Sequence, residues 1–278
     1  MPSIDNLTPS SSLMLVRDSC DGIQVFMMKR AQKSNFGGIW VFPGGIIENQ
    51  DKEIAEKDFC KGLTESDAKG ILNNDNESLH YWIASLRETF EESGALIANR
   101  EDNSIFVPTD DELGTLEKLR NDLLNGKISF MSILIQLNLK IDLSRLIYVS
   151  HWITPNVETK RYTTRFFLTS LNEDMALRHD GIEGTDSNWF GINNLLKDYE
   201  NGKVSLIMPT IKNLESITNF KNTDELMSAK KSINPKDIPA IEPKFFIENG
   251  KWRGLLPGED GYEAVSYTHL TLPTILLV

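Results

Sequence analysis

Residues 79–93 constrain this chain more than any other stretch. Leu79, Trp82, Ile83, Leu86 and Phe90 recur at helical spacing, and Gly94 follows. That pattern predicts a helix with one apolar face, closed by a glycine. At about 100° per residue, Glu88, Glu91 and Glu92 fall within an arc of roughly 100° on the other side. The helix must therefore pack one face and present three carboxylates together on the other. Like charges at these spacings repel by a few tenths of a kcal/mol per pair. A hard divalent cation such as Mg²⁺ reverses that sign, because it takes carboxylate oxygens and keeps waters for a phosphate. Three glutamates alone would favour a solvated acidic face. Arg87 directly ahead of them adds a group that can orient a carboxylate.

The rest of the chain reads as intermixed strands and helices. Ser12–Arg17 and Ile23–Lys29 flank Asp21-Gly22, which predicts a β-hairpin. Ile39–Phe42 is a further strand, ended by Pro43-Gly44-Gly45. Residues 46–78 are polar and acid-rich and read as an insertion, with a short helix around Glu53–Lys61. Small strands are expected at Ala95–Ala98 and Ile105–Val107, and helices at Asp110–Leu124 and Ser129–Leu139. Leu146–Ile153, Arg161–Leu171 and Thr185–Phe190 read as strands, and Asn193–Glu200 and Thr210–Phe220 as helices. No internal repeat is visible. The expectation is one α/β or α+β domain over residues 10–262.

Composition narrows the function. With 29 basic and 40 acidic residues the formal charge is −11, which argues against a general nucleic-acid or anionic-membrane binder. No run approaches a membrane span. The first twelve residues carry one acid, no base and no apolar stretch, so they do not read as a secretory signal. Cys20 and Cys60 form no disulfide framework and fit a reducing compartment. Residues 264–278 hold no Asp, Glu, Lys or Arg, and Val265–Thr274 resembles translated sequencing-adaptor sequence. The expectation is a non-native tail, with a genuine apolar C-terminal strand as the alternative; the tail is set aside from fold reasoning, and any C-terminal address with it.

Arg87-Glu88-Thr89-Phe90-Glu91-Glu92-Ser93-Gly94, together with Phe42-Pro43-Gly44-Gly45, resembles the box of the Nudix hydrolases. The family pattern is Gly, five residues, Glu, seven residues, Arg-Glu, an aliphatic, any residue, Glu-Glu, any residue, Gly, an aliphatic. Gly45 supplies its first glycine and Asp51 stands where the family usually has Glu. Thr89 and Ala95 replace aliphatics. Gly45 and Arg87 are 42 positions apart where the ordinary box has 14, which implies 28 inserted residues. Such an interrupted box is similar to that of the coenzyme A diphosphatases of the nucleoside diphosphate-linked moiety X motif 19 type. Lys29–Phe36, His151–Pro155, Arg161–Phe167, the set Glu183, Asp186 and Trp189, and Leu256–Glu259 extend the likeness.

The resemblance implies a Nudix fold, a mixed sheet sandwiched between helices. It implies Mg²⁺ or Mn²⁺ held by Glu88, Glu91 and Glu92, with Glu91 as base, Arg87 orienting it and Glu183 as a further acid. Gly44 and Gly45 would approach metal and phosphate. Arg30, Lys33, Arg161 and Arg165 would bind substrate, while His151 reads as structural. The implied reaction is hydrolysis of the diphosphate of coenzyme A or acyl-CoA to 3′,5′-ADP and (acyl-)4′-phosphopantetheine, in peroxisomes or mitochondria. Alternatives are another diphosphate (an NDP-sugar, a dinucleotide, a capped RNA) or an inactive Nudix-fold binding protein. Oligomeric state is silent.

Overall fold

The computed structural model describes residues 7–31, 38–73, 78–171, 184–248 and 251–265. Glu183, Lys33 and all but the first two residues of the tail from 264 onward lie outside these.

The expected hairpin forms from β1 (Leu7–Ser19) and β2 (Gly22–Arg30), antiparallel from Val16↔Val25 to Ser19↔Gly22. Gly22 takes the positive φ that the tight turn requires. Beyond Val16 the two strands part, and the chain that follows fills the fork. β3 (Trp40–Val41) pairs with β2 and β4 (Gly44–Ile46) pairs with β1 at Ser10–Ser12. Next come α1 (Asn49–Ala55), β5 (Cys60–Lys61), α2 (Glu65–Ile71), α3 (Leu79–Ser93) and β6 (Ala98–Asn99). Then follow α4 (Asp110–Leu124), α5 (Phe130–Gln136), β7 (Lys140–Asp142), β8 (Ile147–Ile153) and β9 (Arg161–Ser170). The remainder is β10 (Gly184–Gly191), α6 (Ile192–Glu200), α7 (Met208–Glu215) and α8 (Thr223–Lys231), then β11 (Ala240–Ile241), β12 (Lys244–Glu248) and β13 (Lys251–Leu255).

The main sheet runs β10-β2-β1-β9-β8-β11. It is mixed, because β1 pairs in parallel with β9 and β8 with β11 while its other pairs are antiparallel. Period-two alternation buries both faces. Leu13, Leu15, Phe26, Met28 and Phe167 pack under α3, α4 and α5. Met14, Val16, Val25, Met27 and Leu168 face α6, α7 and α8. The expected sandwich of helices about a mixed sheet is the architecture found.

The described part of the expected insertion, residues 46–73, is built into the fold. Its first helix covers 49–55 rather than 53–61. Ile54, Ala68 and Leu72 enter the core, and β5 pairs with β7. The carboxylate of Glu65 on α2 accepts the Ser78 and Leu79 amides at 3.1 and 2.9 Å, so the inserted segment caps the helix it precedes. At the other end of α3, Gly94 adopts φ +79° and Arg120 of α4 donates to the Glu91 carbonyl at 2.9 Å.

Candidate active site

Helix α3 is not a solvated acidic face. Glu88 and Glu92 are buried, Arg87 is fully buried, and Glu91 is the most open of the four. The glycine loop is what covers them. Gly44 N–H donates to Glu92 Oε2 at 2.8 Å, joining residues 48 positions apart. A Cβ on Gly45 would collide with the Glu88 carboxylate, and one on Gly44 with the Ser11 carbonyl and Ser12. Backbone and carboxylates approach this closely only because neither residue has a side chain.

Arg87 organises the charges. Its Nε and Nη2 donate to Asp51 Oδ1 and Oδ2 at 2.8 and 3.0 Å. Nη1 reaches Glu88 Oε1 at 2.9 Å and Glu91 Oε2 at 3.2 Å, and Nη2 also reaches the Ile46 carbonyl at 2.9 Å. Burial alone would lower the guanidinium pKa, but Asp51, Glu88 and Glu91 raise it, so the cation stays charged. Burial pushes Glu88 up to about 8 despite Arg87, with Glu91 adding repulsion. Burial also raises Glu91 and Asp51, while Arg87 pulls both back.

Each of the three glutamates is engaged by a protein group. Accordingly, no three acidic, histidine or cysteine groups among the described residues close about one point. One guanidinium faces Asp51, Glu88 and Glu91, and Glu92 stands beside the Gly44 amide, which leaves carboxylates in excess of the cation. Carboxylate oxygens in excess, beside a backbone loop with no side chains in the way, are a donor set that fits a hard divalent cation.

The carboxylates open onto a cleft of about 550 Å³. Lys29 and Arg30 line it at the end of β2. Ser10–Ser12, Gly44 and Gly45 form its floor, and Trp152, Tyr162, Phe166, Met208 and Phe245 are among its apolar walls. The structure does not bring Arg161 or Arg165 there. Tyr162, Thr164 and Phe166 line the cleft, so alternation along β9 turns Arg161 and Arg165 to the other face. Arg161 pairs with Glu242 at 2.8 Å and donates to the Thr154 carbonyl at 3.0 Å. Arg165 is buried, donates to Tyr148 Oη at 2.8 Å and lies over the rings of Tyr81 and Tyr148. His151 is outside the cleft lining too and shares a 2.7 Å hydrogen bond with Thr163. Asp51 is the residue that sequence reasoning underrated. The available signal was its place six positions after Gly45.

Known proteins resemble this chain. Residues 53–217, more than half of the chain, match the family model of the NUDT19 Nudix domain. An acyl-coenzyme A diphosphatase NUDT19 from Xenopus laevis is 29% identical over 237 residues, covering 73% of this chain and 62% of that protein. A putative nudix hydrolase 7 from Caenorhabditis elegans is 26% identical over 223 residues, covering 78% and 64%. The chain thus spans just under two thirds of the length of these curated relatives. The crystal structure of a NUDIX hydrolase from Alicyclobacillus acidocaldarius superposes with a TM-score of 0.68 at 25% identity, covering 81% of this chain and 97% of that one. The family match begins after the glycine loop, and the Gly44–Glu92 and Asp51–Arg87 contacts supply the half it leaves out. The chain belongs to the NUDT19 Nudix-domain family.

Proposed function

We propose that this protein hydrolyses the diphosphate linkage of coenzyme A or its thioesters. One observation carries the reading. The glycine loop and the Arg87–Glu92 segment, separated by the inserted residues, close on each other at the head of a cleft able to take an extended substrate. The resemblance to an acyl-coenzyme A diphosphatase names the substrate class.

Glu88, Glu91 and Glu92 are the residues that would hold Mg²⁺ or Mn²⁺, which when bound polarises the phosphoryl oxygens and neutralises their charge. Glu91, the most open of the three, takes the proton of the attacking water, and Arg87 keeps its carboxylate in place. Water oxygen bonds to phosphorus as the bridging P–O bond breaks. The halves leave as 3′,5′-ADP and 4′-phosphopantetheine, acylated where the substrate was. Side chains here position and stabilise charge rather than form covalent intermediates. By the same relationship we assign the protein to peroxisomes or mitochondria, which imaging of the full natural chain tests.

The deciding experiment is product release, with Mg²⁺ or Mn²⁺, from a panel of coenzyme A, an acyl-CoA, an NDP-sugar, a dinucleotide and a capped RNA. Preference for the coenzyme A pair supports this reading. Preference for another member replaces the substrate, and no turnover of any points to a binding protein.

A further inference from the structure

The cleft is not symmetric about its carboxylates. Strands β1 and β2 part beyond Val16, and the glycine loop occupies the fork, over which Glu88 and Glu92 close. On one flank stand Lys29 and Arg30, on β2. On the other flank lie β9 and β8, one and two strands beyond β1, at about 4.8 Å per strand. That second flank contributes Trp152, Pro155 and Tyr162, joined by Phe245 from β12. The charged cleft-lining side chain of the β8–β9 connection is Glu158, an acid. A phosphate monoester carries close to two negative charges at neutral pH. It is attracted to the Lys29–Arg30 flank and repelled by Glu158. A neutral, flexible, largely apolar group has the opposite preference.

We infer that the cleft fixes the direction of its substrate: Lys29 and Arg30 receive the 3′-phosphate of the nucleotide half, and Trp152, Tyr162 and Phe245, beside Glu158, receive the pantetheine or acyl half. The inference rests on the coenzyme A reading above and adds to it which end lies where. It replaces Arg161, which the fold turns away, by Arg30 as the phosphate contact.

Product inhibition tests this. Arg30→Ala should weaken inhibition by 3′,5′-ADP about ten- to a hundredfold, the loss of one charge-assisted contact. It should leave inhibition by 4′-phosphopantetheine within about twofold. Phe245→Ala should do the reverse, and should shrink any preference for long-chain acyl-CoA over coenzyme A. Phe245 contacts its own hairpin, so Glu158→Lys, at a half-buried position outside that hairpin, is a second variant. In the inferred direction it leaves the ratio of coenzyme A to dephospho-coenzyme A turnover unchanged. If instead Glu158→Lys raises that ratio several-fold while Arg30→Ala does not lower it, the direction is reversed and the inference falls, though coenzyme A remains the substrate. A wild-type protein that cleaves other diphosphates and not coenzyme A overturns the substrate reading, and this inference with it.

Discussion

Asp51 and Arg87, 36 positions apart, meet through two parallel hydrogen bonds of 2.8 and 3.0 Å with both side chains out of solvent. The fork-to-fork geometry fixes both partners. Removing one partner strands the other's charge. Asp51→Ala should therefore cost about 3–5 kcal/mol, seen as a lower denaturant midpoint at constant slope. The double variant Asp51→Leu/Arg87→Met should lose less stability than the sum of the singles, while remaining inactive. A loss under about 1 kcal/mol in Asp51→Ala would mean that the pair holds nothing in place.

Glu92 accepts the Gly44 amide through one oxygen. Glu92→Gln keeps an acceptor there and removes only charge. Turnover with saturating Mg²⁺ should fall by orders of magnitude with the melting temperature nearly unchanged. Activity within a few-fold of wild type would remove Glu92 from the ligand set.

Gly45→Ala inserts a methyl group against the Glu88 carboxylate. Loop and helix must move apart, at about 1–3 kcal/mol, and turnover should drop at least about tenfold if Glu88 holds the metal as proposed, because its carboxylate is displaced. A variant with wild-type kcat would show that the loop yields without moving them.

His151 offers a pH signature from outside the residues that line the cleft. Burial, with Arg165 adding repulsion, pushes it down to about 3 from an ordinary 6.5. The folded protein keeps it neutral, whereas the unfolded chain protonates it below about 6.5. Its contribution is thus complete above pH 6.5 and is lost as pH falls through the window towards 3, by at most about 1.4 kcal/mol per pH unit. His151→Gln should flatten that part of the stability curve. An unchanged acid limb would place the proton uptake elsewhere.

The two cysteines should separate cleanly. Cys20 is exposed, while Cys60 is half-buried and its thiol is pushed up to about 12, chiefly by burial. The thiolate is the reacting form, so a disulfide reagent at pH 8 should label Cys20 rapidly and Cys60 only on unfolding. Equal rates would contradict that burial.

Much of this was legible in the chain itself. Both ends of α3 and of α4 fall where periodicity places them, with Gly94 as punctuation for α3. Leu113 of α4 is exposed while Leu116, Leu119 and Leu123 are buried, so the apolar stripe of that helix is narrow. Helix α5 is shorter than expected, since Leu139 leaves it to lead into β7. Helix α8 went unread although Asn222 caps it and acids open it. The role of Asp51 was hidden because its partner is distant in sequence and its neighbours are polar. The arginines of β9 failed for a simpler reason: period-two alternation with Tyr162 and Phe166 already turned them from the cleft.

The fork between β1 and β2 makes the proposed activity a property of the whole tertiary structure. Gly44 is placed by strand pairing and Glu92 by the docking of a helix. Neither half can recognise the other until the sheet has spread, the loop has entered and α3 has settled on it. A partly folded chain, with every helix formed but α3 lifted, would look native by far-ultraviolet dichroism and be inert. Turnover therefore reports on the docking of α3 against the loop, and should disappear at lower denaturant than the helical signal wherever that contact is the weakest.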